Sequence, residues 1–169
     1  FERADKYRMT SMILADGTMG QMMEPVSLDL KVEEAPEKPW ATTGTSTHEG
    51  RNVVNSLSLS PAQLEEWNID RYERYKIVER DEVMYEEYMM DDAEVALVVI
   101  GSSAGTGKEA VDRLRAEGKK VGLIKLRVFR PFPRIPLAEA MCKVKAVAIM
   151  DKAESFSNSG GPLFNEARN

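Results

Sequence analysis

The sequence predicts an α/β fold, a mostly parallel sheet flanked by helices, and three observations within residues 94–151 predict it. Glu94-Val-Ala-Leu-Val-Val-Ile100 and Val144-Lys-Ala-Val-Ala-Ile-Met150 are apolar runs of strand length, and Val121-Gly-Leu-Ile124 opens another. Helical patterns separate these runs. Continuous apolar strands alternating with helices are the mark of strands buried on both faces, the condition of a parallel sheet. Function does not follow from that architecture, because such sheets carry many unrelated chemistries.

In chain order, residues 1–8 read like the tail of a helix and residues 165–169 like a helix just begun. With no initiating Met, we expect a piece of a longer polypeptide. Residues 9–15 are a short strand candidate stopped by Asp16-Gly17, and residues 20–25 follow as a loop or single turn. Residues 26–58 show no sustained period and contain Pro36, Pro39, Gly44 and Gly50. So long a stretch inside a compact domain reads better as an arm crossing another surface. Trp40 and the polar run Thr42-Thr-Gly-Thr-Ser-Thr47 suit docking against a neighbour.

Ser60-Pro-Ala-Gln63 starts a helix. Ser60 can cap it, Pro61 suits the first helical position, and Gln63 can reach back to the cap. Leu64, Trp67, Tyr72, Tyr75 and Val78 recur near helical spacing among charged residues, which predicts a solvated amphipathic helix of about five turns. We expect it to break near Arg80-Asp81 and continue to Met90, with Asp91-Asp92 leading into the sheet. After the first long strand, Gly101-Ser-Ser-Ala-Gly-Thr-Gly107 makes a turn. Thr106 and Glu109 then form a capping box, Ala110, Val111 and Leu114 make the buried stripe, and Gly118 supplies a left-handed stop. Arg130-Pro-Phe-Pro133 cannot continue a strand, because its prolines lack an N–H. Pro136 then starts a helix over residues 137–143.

Composition narrows the function. A net charge of −5 argues against nucleic acid or an anionic membrane as the main partner. The single cysteine, Cys142, can neither close an internal disulfide nor hold a metal or iron–sulfur cluster alone. Cysteine usage points to an intracellular, cytoplasmic setting, with any redox centre elsewhere. No apolar run reaches the roughly 18 residues of a membrane span, and no signal-peptide pattern is present.

The glycine-rich turn invites a phosphate-loop reading, but its spacing fails. Five residues separate Gly101 from Gly107-Lys108 where four are needed, and Glu109 stands where a magnesium-binding hydroxyl belongs. The dinucleotide fingerprint fails as well. What remains is a tight strand-to-helix turn, with weak anion binding through the N–H groups of Gly105, Thr106 and Gly107 as a secondary candidate. Asp16 and Asp151 each end a strand candidate, where ligands of open parallel sheets sit but where Asp also serves as a turn or helix cap. His48, the only histidine, reads as a surface residue of the arm. Met19, Met22 and Met23 form an adaptable apolar patch suited to an interface. No catalytic triad, metal-ligand set or paired carboxylate emerges.

Several blocks carry a family resemblance. Leu14-Ala-Asp-Gly-Thr-Met-Gly-Gln-Met-Met-Glu-Pro-Val26 resembles the end of the pyrimidine domain in the alpha subunit of 2-oxoacid:ferredoxin oxidoreductases, most closely the branched-chain (2-oxoisovalerate) type. Pro39-Trp-Ala-Thr-Thr-Gly44, Asn55-Ser-Leu57 and Asp91-Asp-Ala-Glu-Val95 fit the same family. Gly101-Ser-Ser-Ala-Gly-Thr106, Arg127-Val-Phe-Arg-Pro-Phe-Pro133, residues 144–151 and Gly160-Gly-Pro-Leu-Phe164 are more similar to the pyruvate type.

The resemblance implies thiamine-diphosphate-dependent oxidative decarboxylation of a 2-oxo acid to its acyl-CoA, with electrons passing through iron–sulfur clusters to ferredoxin. It implies that residues 1–26 end a pyrimidine-binding domain, residues 27–59 form a connecting arm, residues 60–90 a linker helix region, and residues 91–169 a truncated domain like the C-terminal domain of transketolase. It places the activating glutamate upstream, thiamine diphosphate and magnesium on the beta subunit, and clusters on other chains or domains. The expected partners are the beta, gamma and iron–sulfur subunits, ferredoxin and coenzyme A. No catalytic, cofactor or metal residue is assigned here, and the piece alone is expected to be inactive. The loop carrying Gly17, Gly20 and Gln21 is the part expected nearest an active site. Two alternatives stay open: a stand-alone α/β module binding an anion or nucleotide through the Gly101–Gly107 turn, and a pure interaction domain.

Overall fold

The computed structural model describes residues 1–29, 37–44, 50–156 and 159–169, so His48 and the second half of the threonine-rich run lie outside the described residues. In chain order the elements are α1 (Glu2–Tyr7), α2 (Gly17–Gln21), α3 (Pro61–Asp81), β1 (Tyr85–Tyr88), β2 (Val95–Ile100), α4 (Ser103–Ala116), β3 (Val121–Leu126), α5 (Arg134–Met141), β4 (Ala146–Ile149) and α6 (Pro162–Arg168). They divide into two compact units, Phe1–Ile13 with Met23–Tyr75, and Leu14–Met22 with Lys76–Asn169.

The first unit is short of regular structure. Polar and ring contacts hold its described parts: Lys38 pairs with Asp5 at 2.5 Å, and the Arg8 guanidinium lies 4.9 Å from the centre of the Trp40 ring. Asn52 donates to the carbonyls of Pro39 and Ala41 at 2.6 and 3.0 Å. The strand expected at residues 9–15 does not form. A strand persists only where a neighbour takes up its backbone N–H and C=O groups. The sheet's described pairings involve β1 to β4 alone, and Met12, Ile13 and Leu14 stand exposed.

Helix α3 starts where its cap predicts. The Ser60 hydroxyl oxygen accepts from the Gln63 N–H at 3.5 Å, although the Gln63 side chain turns to the Ser58 hydroxyl, at 3.2 Å, instead of closing a capping box. None of its residues is buried, as its charged faces foretell. It stops at Asp81, and the expected continuation to Met90 is wrong: residues 85–88 form a strand. The reason is the period-2 arrangement of Tyr85-Glu-Glu-Tyr88. Tyr85 packs with the core on one sheet face and Tyr88 with the core on the other. Glu87 pairs with Lys143 at 3.0 Å, and Glu86 pairs with Lys108 on α4. A helix would have put both tyrosines on one side.

The sheet has the order β1-β3-β2-β4. β2 pairs in parallel with β3 (Val98 opposite Ile124) and with β4 (Val98 opposite Ile149), while β1 runs antiparallel along β3. The sheet is therefore mostly parallel, as expected. Ala96, Val98, Ile124 and Leu126 face a core closed by Leu137 and Ala140 of α5 and Leu163 of α6. Leu97, Val99 and Leu123 face the opposite core, closed by Ala104 and Val111 of α4. Burial on both faces is why β2 and β3 read as continuous apolar runs. β4 departs from that expectation, because it ends the strand order and is exposed over residues 146–148.

The ends of α4 show the local chemistry. Gly101 has φ +67°, which turns the chain directly off β2. The helix therefore begins at Ser103 with Ser102 at its cap, and Thr106 lies one turn inside instead of capping. At the other end Gly118 has φ +82°. Its N–H donates to Arg115 O at 2.9 Å, and the Lys119 N–H to Leu114 O at 3.0 Å, the paired bonds of a Schellman stop. Arg115, in the last turn, donates to Met89 O, Val121 O and Asp92, each at 2.6 Å. The Arg130–Pro131 peptide is cis. α5 begins two residues before Pro136, which is tolerated because first-turn N–H groups lack intrahelical partners.

Candidate functional site

Strand order locates the site. β2 and β4 are parallel neighbours. The connection leaving β2 enters α4 on one face, and the connection leaving β4 leads to α6 on the other. Such a divergence opens a crevice beyond the carboxyl ends of the two strands, the usual ligand position in open α/β sheets. Ser102 follows β2 and Lys152 follows β4, so both stand at its mouth.

The crevice receives Asp16. Its Oδ1 accepts from the Met19 N–H at 2.9 Å, capping the single turn of α2. Its Oδ2 accepts from the Ser102 hydroxyl and from Lys152 Nζ, the latter at 3.0 Å. Lys152 Nζ also reaches Ser102 Oγ at 2.9 Å, closing a triangle. The Ser102 hydroxyl, then the Met19 N–H and the Lys152 ammonium, hold the Asp16 carboxyl far below the usual carboxylate range. Each donor stabilises the charged form.

Around this triangle lies a groove of about 510 Å³, lined by Thr18 and Met22 on one side and by Leu97, Thr106, Ala110 and Met150 on the other. The structure thus brings together both tentative sequence candidates, the Gly17–Gln21 turn and the start of α4. Their roles differ from the expectation. Gly105 and Thr106 line the groove, but only Gly105 retains an N–H outside the helical ladder, because the helix begins earlier. Gly107 serves packing: a Cβ there would meet Leu123 Cδ1 at 2.6 Å. Gly17 and Gly20 border open space, with nothing within 4 Å of an added Cβ.

Asp151 acts as a cap. Its Oδ2 accepts from the Phe164 N–H at 3.1 Å in the first turn of α6. Met19 and Met23 are 47% and 98% exposed, and Met22 lies partly in the groove. Cys142 is exposed, in the lining of a second groove of about 580 Å³ along α5 and α6. Among the described residues no three His, Cys, Asp or Glu side chains gather as metal ligands. No helix among them is long and apolar enough to cross a membrane. Sequence reasoning missed Ser102 and Lys152. Each lies within three residues of the end of an apolar strand, a visible signal, but only the strand order makes those two ends adjacent.

Comparison with known proteins agrees with the motifs. Residues 93–169 match the family described as pyruvate:ferredoxin oxidoreductase core domain II. The chain is 47% identical over 146 residues to the ketoisovalerate oxidoreductase subunit VorB of Methanothermobacter marburgensis, an overlap of 84% of this chain and 41% of that one. It is 43% identical over 81 residues to the pyruvate synthase subunit PorA of Methanosarcina barkeri, covering 48% of this chain and 20% of that one. A 2-oxoglutarate:ferredoxin oxidoreductase from Magnetococcus marinus, solved with 2-oxoglutarate, coenzyme A and succinyl-CoA, shares the fold at a TM-score of 0.61 and 24% identity, over 76% of this chain and 23% of that one. The chain thus spans well under half the length of these proteins. Residues 93–169 are similar to that core-domain family, and the chain over most of its length is similar to ketoisovalerate oxidoreductase subunits.

Proposed function

We propose that this chain serves a 2-oxoacid:ferredoxin oxidoreductase of the branched-chain type. Such a complex decarboxylates a 2-oxo acid oxidatively, passes the acyl group to coenzyme A and reduces ferredoxin. The observation that carries this reading is the 47% identity to a ketoisovalerate oxidoreductase subunit over 84% of the chain, against an overlap of 48% with the pyruvate synthase subunit. The working partners would be a thiamine-diphosphate (beta) subunit, gamma and iron–sulfur subunits, ferredoxin and coenzyme A.

This chain's donor set does not fit the redox cofactors of that reaction. An iron–sulfur cluster is held by several thiolates, and the sequence has one cysteine. Magnesium diphosphate calls for oxygen ligands that converge, and Asp16 and Asp151 are already committed to Met19, Ser102, Lys152 and Phe164. We therefore assign no reaction step to these residues. Their contribution is scaffold and subunit interface. Residues 1–26 close a pyrimidine-binding domain, 27–59 serve as the arm, 60–90 are the linker region, and 91–169 form the transketolase-like domain. The Gly17–Gln21 turn stands nearest the reacting centre.

The test is purification of the full-length subunit with its native partners, followed by coenzyme-A-dependent viologen reduction. Faster turnover of 2-oxoisovalerate than of pyruvate or 2-oxoglutarate is expected. A complex that uses none of the three, or a subunit that purifies alone, refutes the reading. Gly20→Val and Gln21→Ala probe the turn. Open space around Gly20 means the fold accepts a side chain there, so a fall in turnover would report proximity to the reaction.

A further inference from the structure

We propose that the crevice between the carboxyl ends of β2 and β4 is a socket for the chain's own Asp16, and that Asp16, Ser102 and Lys152 are positioning residues that set α2. This deepens, and rests on, the reading that α2 stands beside the reacting centre.

Three observations converge on the socket. The carboxylate occupies the position where an open α/β sheet takes a ligand. Its receptors, Ser102 and Lys152, lie 86 and 136 residues away in sequence and each touches the same oxygen. The flanks of the segment are poorly anchored: Leu14 is 79% exposed and Met23 is 98% exposed. Apolar burial therefore contributes little to holding residues 14–22 in place, apart from Thr18 and Met22 in the groove. The same carboxylate holds α2 through its other oxygen, since Met19 N–H bonds Oδ1. One side chain thus couples the start of the turn to two strand ends, and rotation of α2 requires that side chain to leave its socket.

The socket also bears on the anion-binding alternative. The hydroxyl and ammonium that could receive an external acid group at this end of α4 are engaged by an internal one. An exogenous phosphate would have to displace Asp16.

The test uses the full-length subunit in its complex, comparing wild type with Asp16→Ala and with the double variant Ser102→Ala, Lys152→Met. The double variant leaves the Asp16 cap on Met19 intact and removes only the receptors. Lys152 is half exposed, so neither change empties the core. Amide hydrogen exchange of residues 17–22 is expected to quicken at least about tenfold in both variants, while exchange in β2 and β3 stays at the wild-type rate. kcat is expected to fall with KM little changed, as for loss of alignment instead of binding. Unchanged exchange of residues 17–22 in the double variant overturns the socket. Faster exchange with unchanged kcat retains the socket and removes α2 from the neighbourhood of the reaction, so the two failures are distinguishable.

Discussion

Gly105 and Gly107 stand two residues apart on one helix, and the structure predicts opposite signs for the same substitution. An alanine Cβ at Gly105 meets nothing within 4 Å. Gly105→Ala should therefore show the helix gain alone, about 0.5–1 kcal/mol. At Gly107 the same atom would lie 2.6 Å from Leu123 Cδ1 and 3.4 Å from Leu97 Cδ2. Leu123 is fully buried, so its methyl has nowhere free to go. Overpacking of this kind costs about 1–3 kcal/mol. The helix gain is common to both variants and cancels in their difference, leaving Gly107→Ala about 1–3 kcal/mol less stable than Gly105→Ala. Urea denaturation measures it, with midpoints shifted at constant m-value. Leu123→Val should shrink the Gly107→Ala penalty in a double-mutant cycle, because it withdraws the colliding methyl. A Gly107→Ala protein as stable as Gly105→Ala would refute the packing of α4 on β3.

Three further outcomes follow from the geometry. Gly118→Ala should destabilise the chain by about 1 kcal/mol, because φ +82° strains any side chain there, and Gly118→Asn should cost less; thermal melts of both check the order. Asp151→Ala should remove the cap on Phe164 N–H at a cost of about 1 kcal/mol, read as faster amide exchange in the first turn of α6. The Asp16 socket should be insensitive to pH across the neutral range. Its carboxyl titrates below the ordinary value of 3.8 in the folded chain, so its contribution is full above that value and is lost only as pH falls through the lowered one. Protection of residues 17–22, corrected for intrinsic exchange, should stay constant from about pH 5 to 8. A transition within that range would show that another group governs the segment.

Much of the fold was legible because its physics is local. The runs at 94–100, 121–124 and 144–150 announce parallel strands by apolar continuity, although only the first two are buried and β4 is exposed over residues 146–148. Gly118 announces a helix end by its freedom at positive φ. Ser60-Pro61 likewise marks the start of α3. Long motif blocks carried the family resemblance. Where the reading failed, the deciding interactions were distant in sequence. Residues 85–88 could pass for helix until β3 offered a ladder and each tyrosine a separate face. Residues 9–15 resembled a strand but pair with no strand among the described residues. Thr106 looked like a cap because a capping box has the same spacing whether it opens a helix or lies one turn inside it.

The site divides along the same line. Sequence alone determined that the chain lacks the cysteines for a cluster, that residues 94–151 make a parallel sheet, and that the segment around Gly17–Gln21 merits attention. Only the tertiary structure decided that this segment seats on the sheet, through Asp16, between Ser102 and Lys152. The physical reason is the strand order. Which carboxyl ends become neighbours is set by crossovers over opposite faces, and that adjacency has no signature in local pattern or spacing.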